Sequence, residues 1–343
     1  MTGSRTPYLL VAMVLALCAA PRASLAKDEL DSIVKKDKLS DGDVATIDTV
    51  VEQRVRKLSD AAKNPKQLRD ARDALIATAT VKQATPAGLD AYAASCSKSL
   101  IGPVLSENLA VGLEATRVLT ELSNARCIET LTSALRSPHA AVRYRAAIGI
   151  RDLHTKIAPN RAAARPTLSA LGSAGALEEN ELVLRSIYEA IDFKKSASTF
   201  QFGDDSAAAL SEIFTARLAA LDRGSRDESK DTAGLEAAGR CFADANDAHK
   251  AEIVAALIAF LGKQVDRYCA ADTAPEYVPS LQPVARTTEG SLKNALDSAR
   301  VAAPDFPVSR NMAQKVTDAA RKATRDGLEE WRSAVNKSPW PVR

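Results

Sequence analysis

The sequence predicts an all-α protein, and three observations predict it. Apolar residues make up 46% of the 343-residue chain but aromatic residues only 4%, with alanine frequent throughout. Small aliphatic side chains let helix axes approach closely. No stretch is dominated by the β-branched and aromatic residues that strands favour. Aliphatic residues instead recur at steps of three and four, interrupted at short intervals by Pro, Asn and Gly, which is the pattern of successive amphipathic helices.

Residues 1–26 read as a secretory signal peptide. Arg5 supplies a positive start, Tyr8 to Ala20 an apolar run, and Ser24 and Ala26 the small residues before a cleavage point. The run is short for a membrane span, so the expectation is a secreted or periplasmic protein without a span after cleavage. An uncleaved anchor helix is the alternative. Cys18 does not read as a lipidation site, because Leu17 precedes it where a small residue is needed. Residues 28–40 are charged and carry no long apolar stripe.

From Asp43 onward, Val44, Ile47, Val50, Val51, Val55 and Leu58 mark a first helix. Asn64-Pro65 breaks it and starts a second through Leu68, Leu75 and Ile76, making a helical hairpin. Thr85-Pro86 starts a third, punctuated at Gly102-Pro103. Helices are then predicted at about 106–122, 125–136, 139–156, 164–171 and 178–192, with Gly172 to Gly175 read as a turn. Residues 194–205 read as a polar loop exposing Phe200 and Phe202. Helices at about 206–222, 232–243 and 247–270 follow. Pro275, Pro279 and Pro283 make 271–288 a Pro-rich linker, since proline removes helix hydrogen bonds. Helices at about 289–302 and 310–335 close the chain. Trp331 is expected to pack the last helix onto its neighbours. Trp340 lies between two prolines in a tail expected to fray, with a partner contact as the alternative.

An internal repeat runs through the middle. Val111, Ala115, Leu119 and Leu122 recur 31 residues on as Val142, Ala146, Ile150 and Leu153; Val142, Ala146 and Ile150 recur 41 further as Val183, Ile187 and Ile191. Residues 137–153 resemble the second helix of a HEAT repeat. A turn at Pro138 is followed by Val142-Arg143, small Ala146-Ala147, and closing Ile150 and Leu153. The resemblance covers about 106–192. His139 stands where the family usually has an acidic residue, and Leu184 takes the place of Arg143 one unit later, so the ionic ladder of the family is incomplete. The resemblance implies a right-handed α-α superhelix, a HEAT-like solenoid of hairpins with helical caps, acting as a binding scaffold. The domains expected are a cap of hairpins at 27–105, a repeat array at 106–270, the linker at 271–288, and terminal helices at 289–343.

Chemistry-bearing motifs are sparse. There is no phosphate loop and no G-x-S-x-G elbow. His139, His154 and His249 have no metal spacing and no C-x-x-C pair exists, so neither metal nor cofactor is expected. The carboxylates Glu178, Glu179, Glu181 and Glu189 read as a charged helix face. Cys96, Cys127, Cys241 and Cys269 remain after cleavage. The pairs Cys96–Cys127 and Cys241–Cys269 would each join elements close in sequence, and four buried thiols are the other reading.

Charge carries the strongest local signal. The mature chain is nearly neutral, with 44 basic against 43 acidic residues, which argues against a nucleic-acid partner. Yet Arg136, Arg143, Arg145, Arg151, Lys156, Arg161 and Arg165 stand against Asp152 alone. Arg143, Arg145, Arg151 and His154 are the candidate binding residues, for a protein partner or an anionic envelope polymer. The favoured alternative is that these arginines pair with the acidic helix at 178–192. The function expected is non-catalytic scaffolding; the rival is an enzyme with a site between the repeats and the C-terminal helices.

Overall fold

The computed structural model describes residues 22–196, 202–225, 228–270, 278–314 and 316–342. The expected signal peptide falls largely on residues 1–21, and Phe200 on 197–201, both outside the described residues. The described residues are helical with no strand among them, so the all-α class holds. The described residues divide into two compact units, those up to Thr130 and those from Leu131 onward. This boundary is neither at 105 nor at 271, where the sequence suggested divisions.

In the first unit, α1 (Arg22–Ile33) runs through the expected cleavage point at Ala26 and buries Leu30, Ile33 and, just beyond it, Val34. The sequence reading gave no helix here, although these three residues are spaced for one. Next, α2 (Asp41–Asp60) begins with a reciprocal cap in which Ser40 and Asp43 satisfy each other's backbone amides, and it buries Ile47, Val50, Val51, Val55 and Leu58. The helices α3 (Pro65–Ile76) and α4 (Pro86–Val104) each start with Pro in the first turn, behind Asn64 and Thr85 caps. Arg54 of α2 donates to Ala74 O at 2.7 Å, and Tyr92 of α4 donates to Leu75 O at 2.7 Å. These bonds satisfy carbonyls at the end of α3 that the helix leaves open. Then α5 (Leu109–Leu122) ends on Ser123 in the left-handed conformation, and a 3₁₀ turn (Ala125–Cys127) leads into α6 (Ile128–Ala134).

The second unit begins within α6. It continues through α7 (Ala140–Asp152), α8 (Arg161–Leu177), α9 (Glu181–Ile191), α10 (Gly203–Asp222), α11 (Thr232–Cys241), α12 (Asp247–Cys269), α13 (Val278–Ser298), α14 (Pro307–Met312) and α15 (Asp318–Asn336). Within it α8 packs on α10 and α10 on α12, while α7 packs on α9, α9 on α11 and α11 on α13. Two helical layers result, because alternate helices stack. The repeat register lies inside: Val142, Ala146, Ile150, Leu153, Val183, Ile187 and Ile191 are all buried. Each of these Val, Ile and Leu side chains contributes about 1.5–3 kcal/mol by leaving water. In the first unit Val111, Ala115 and Leu119 are likewise buried, whereas Leu122 is only half-buried.

Three segments differ from what the sequence predicts. Gly172 to Gly175 is no turn, because α8 continues through it. A Cβ on Gly175 would lie 2.4 Å from Ile213 Cδ1, and one on Gly172 3.0 Å from Ala209 Cα, so these glycines admit α10. Residues 278–288 are no linker but the start of α13, with Pro279 in the first turn, where amides lack helical partners, and Pro283 one turn further in. Phe202 is buried rather than exposed, 5.1 Å centroid to centroid from Phe193. Arg161 lies over its ring at 5.8 Å.

The C-terminal segment is also tied down. Trp331 is fully buried, as expected. Trp340, expected in a fraying tail or against a partner, is buried edge-on against Phe242 at 5.0 Å, with the Lys250 ammonium 5.7 Å above its ring.

Candidate functional site

The basic stretch is largely turned onto its own fold. Arg143 projects from α7 and forks onto Glu178, Nε to Oε2 at 2.7 Å and Nη2 to Oε1 at 2.9 Å. Its Nη1 donates to Ser137 O at 2.9 Å. The Glu178 side chain is only 3% exposed, and such bidentate charged hydrogen bonds are among the stronger ones. Two turns along, Arg151 donates to Glu189 Oε2 of α9 at 2.8 Å and also pairs with Asp152. Arg165 pairs with Asp205 at 3.3 Å. Arg145 lies about 200° round α7 from Arg143, on another face, and is half-buried.

His154 is not a surface cation. It is buried, stacked on Phe193 at 3.9 Å, and its Nε2–H donates to Ala190 O at 2.8 Å. Burial pushes its pKa down to about 4, so the ring is neutral near pH 7. The four predicted binding residues therefore do not form one open patch. Arg143 and Arg151 pair with the acidic helix region, and His154 sits in the core. Of the other histidines, His139 occupies the N-cap position of α7, and His249 Nδ1 meets Asp204 Oδ1 at 2.7 Å. Among the described residues no cluster of three His, Cys, Asp or Glu is placed to hold a metal ion.

The four cysteines are thiols in this structure. Cys241 ends α11 close to the start of α12, while Cys269 ends α12, and a helix of that length separates them by roughly 33 Å. A Cys241–Cys269 disulfide is therefore excluded, since a bridge needs Cα atoms within about 7 Å.

Two concave regions of the second unit border the 178–192 region. One is a cleft of about 290 Å³ between α9 and α11, lined by charged groups including Arg185, Glu189, Asp192 and Arg240. These satisfy one another: Arg240 donates to Asp192 at 2.7 Å, and Arg185 to Glu189 at 3.2 Å. Beneath it, Asp231 is fully buried, accepting from Tyr188 Oη at 2.8 Å and from Arg217 Nε at 3.0 Å. This is a brace tying α9, α10 and the 3₁₀ turn before α11.

The other is a groove of about 720 Å³ between the α6–α7 turn and α8. Its floor is the small-residue face of α8 around Ser169 and Ser173, its walls Leu135 and the Arg143–Glu178 pair. Leu177 stands at its rim 85% exposed, and Leu182, across the α8–α9 turn, is 65% exposed. Arg136, also on the rim, is exposed and makes no ion pair among the described residues. Sequence reasoning counted Arg136 in the basic run but missed Leu177. Its one signal is that it falls about 200° from the buried stripe ending at Gly175.

No protein-family model matches this chain. No curated relative matches it either. A solved chain from a computational design of self-assembling cyclic protein homo-oligomers is similar at 11% identity, covering 86% of this chain and 94% of that one, with a TM-score of 0.20. A likeness that low carries no argument. No described helix is long and apolar enough to cross a membrane.

Proposed function

We propose that this protein is a non-catalytic, exported scaffold of the HEAT-like solenoid kind, and that a partner protein docks in the groove beside Leu177. One observation carries the reading. A leucine 85% exposed overhangs an open groove of about 720 Å³, next to an arginine that no carboxylate of the described residues engages. A groove of that size suits a short peptide segment, with apolar contact supplying affinity and a few polar groups fixing orientation. The partner segment sets an aliphatic side chain against Leu177 and Leu135 and a carboxylate against Arg136. An anionic envelope polymer is the less favoured partner, because Arg143 and Arg151 already hold carboxylates. The layered stacking of α7, α9, α11 and α13 supports the scaffold reading, as does the mutual pairing of charges in the α9–α11 cleft.

A random-peptide display selection against the purified protein tests this. Enriched peptides should combine aliphatic and acidic residues. Leu177→Glu and Arg136→Glu should each weaken their binding by roughly tenfold or more, while the distant surface variant Lys337→Glu leaves it unchanged. Peptides that bind equally well to Leu177→Glu would contradict the reading.

A further inference from the structure

We propose that Cys96 and Cys127 are a disulfide site formed during folding, stapling α4 to the 3₁₀ turn that follows α5. Both cysteines lie in the first unit, apart from the docking groove of the second. Two sets of contacts fix the seam. Asn124 Nδ2 donates to Asp90 Oδ1 at 2.9 Å. Further on, Thr130 Oγ1 donates to Ser97 O at 2.8 Å and meets Ser97 Oγ at 2.8 Å. Residues 124–130 therefore run alongside residues 90–97 in the same direction, and each cysteine lies inside one of the paired spans. Both side chains are fully buried. The seam between them includes Ser97, Thr130 and the two cysteines, small residues that bury little apolar surface and leave the segments close. The bridge would enclose the whole of α5 in a loop of about 30 residues, a length at which closure substantially restricts the unfolded chain.

The chemistry decides when the bond forms. Two thiols give up two protons and two electrons to make one S–S bond, and a small-molecule disulfide accepts them by becoming two thiols. Exchange needs a thiolate. In the folded protein, burial, with the neighbouring Cys127 adding to it, pushes the Cys96 thiol up to about 12. The closed seam is thus inert, and oxidation belongs to the folding chain, before burial. This is a permanent staple, not a redox switch.

The experiment unfolds and reduces the full chain, then refolds it in a mixture of reduced and oxidised glutathione. Free thiols are then blocked in denaturant, the protein is digested with trypsin, and masses are read with and without reductant. The expected result is a peptide of residues 83–98 joined to one of residues 127–136, split by reductant, with Cys241 and Cys269 alkylated. The same bond should fail to appear within hours when the reduced, already folded protein meets the same mixture. Recovery of both Cys96 and Cys127 alkylated after refolding, or of either one joined to another cysteine, would overturn the proposal, and rapid oxidation of the folded protein would overturn its timing.

Discussion

The central helices and the C-terminal helices of the second unit bury carboxylates in different ways. Between α7 and α9 the carboxylates lie along a seam, Glu178 with Arg143 and Glu189 with Arg151, each acid answered by an arginine from the neighbouring helix. In the C-terminal helices Glu289 of α13 is fully buried and answered by neutral donors. It accepts from the Val308 and Ser309 amides at 2.9 and 3.0 Å and from Trp331 Nε1 at 2.8 Å. One carboxylate thus holds the N-terminus of α14 and anchors α15 together. The seam spreads its ionic contribution over pairs reached partly by water; the C-terminal helices concentrate theirs in one residue.

That difference can be tested to breaking. Glu289→Ala should have the largest effect, about 4 kcal/mol, because it orphans three buried donors at about 1–3 kcal/mol each. Urea unfolding measures it, and a loss below about 1 kcal/mol would remove Glu289 as a hub. The second test concerns His154 in the central helices. Its pKa is held down to about 4 in the fold, against about 6.5 unfolded. Above pH 6.5 both states are neutral and nothing is lost. As pH falls from about 6.5 towards 4 only the unfolded chain takes up the proton, so stability should drop by roughly 3 kcal/mol. His154→Leu should flatten that part of the pH–stability curve; an unchanged slope assigns it to other groups. Smaller still, Gly175→Ala should cost about 2 kcal/mol by driving a methyl into Ile213, a packing conflict read as a lower denaturation midpoint.

Much of this architecture was legible in the sequence, and the failures share a cause. The register of Val142, Ala146 and Ile150 with Val183, Ile187 and Ile191 was readable because helix periodicity is local and burial follows it. The pairing of the arginines with the 178–192 region was readable as charge alternation between successive helices. Gly172 and Gly175 were misread because a glycine that makes a turn and one that admits a neighbouring helix look alike until the neighbour, Ile213, is known. Pro279 misled in a similar way: proline breaks a helix interior but is tolerated in a first turn, and which applies depends on where the helix starts. Trp340 and Glu289 depend on partners far away in the chain, Phe242 and Trp331, which no local pattern names. At the candidate site Arg136 was visible as charge, but the exposure of Leu177 depends on where α8 ends and what covers it.

Arg143 and Arg151 of α7 brace neighbouring helices through Glu178 and Glu189. A double-mutant cycle on Arg143→Ala and Glu178→Ala, followed by chemical denaturation, tests it most directly. A coupling of about 1–2 kcal/mol is predicted, from a half-buried arginine forked onto a buried carboxylate. Strictly additive losses, with coupling near zero, would contradict it and return Arg143 to the pool of residues free to bind a partner.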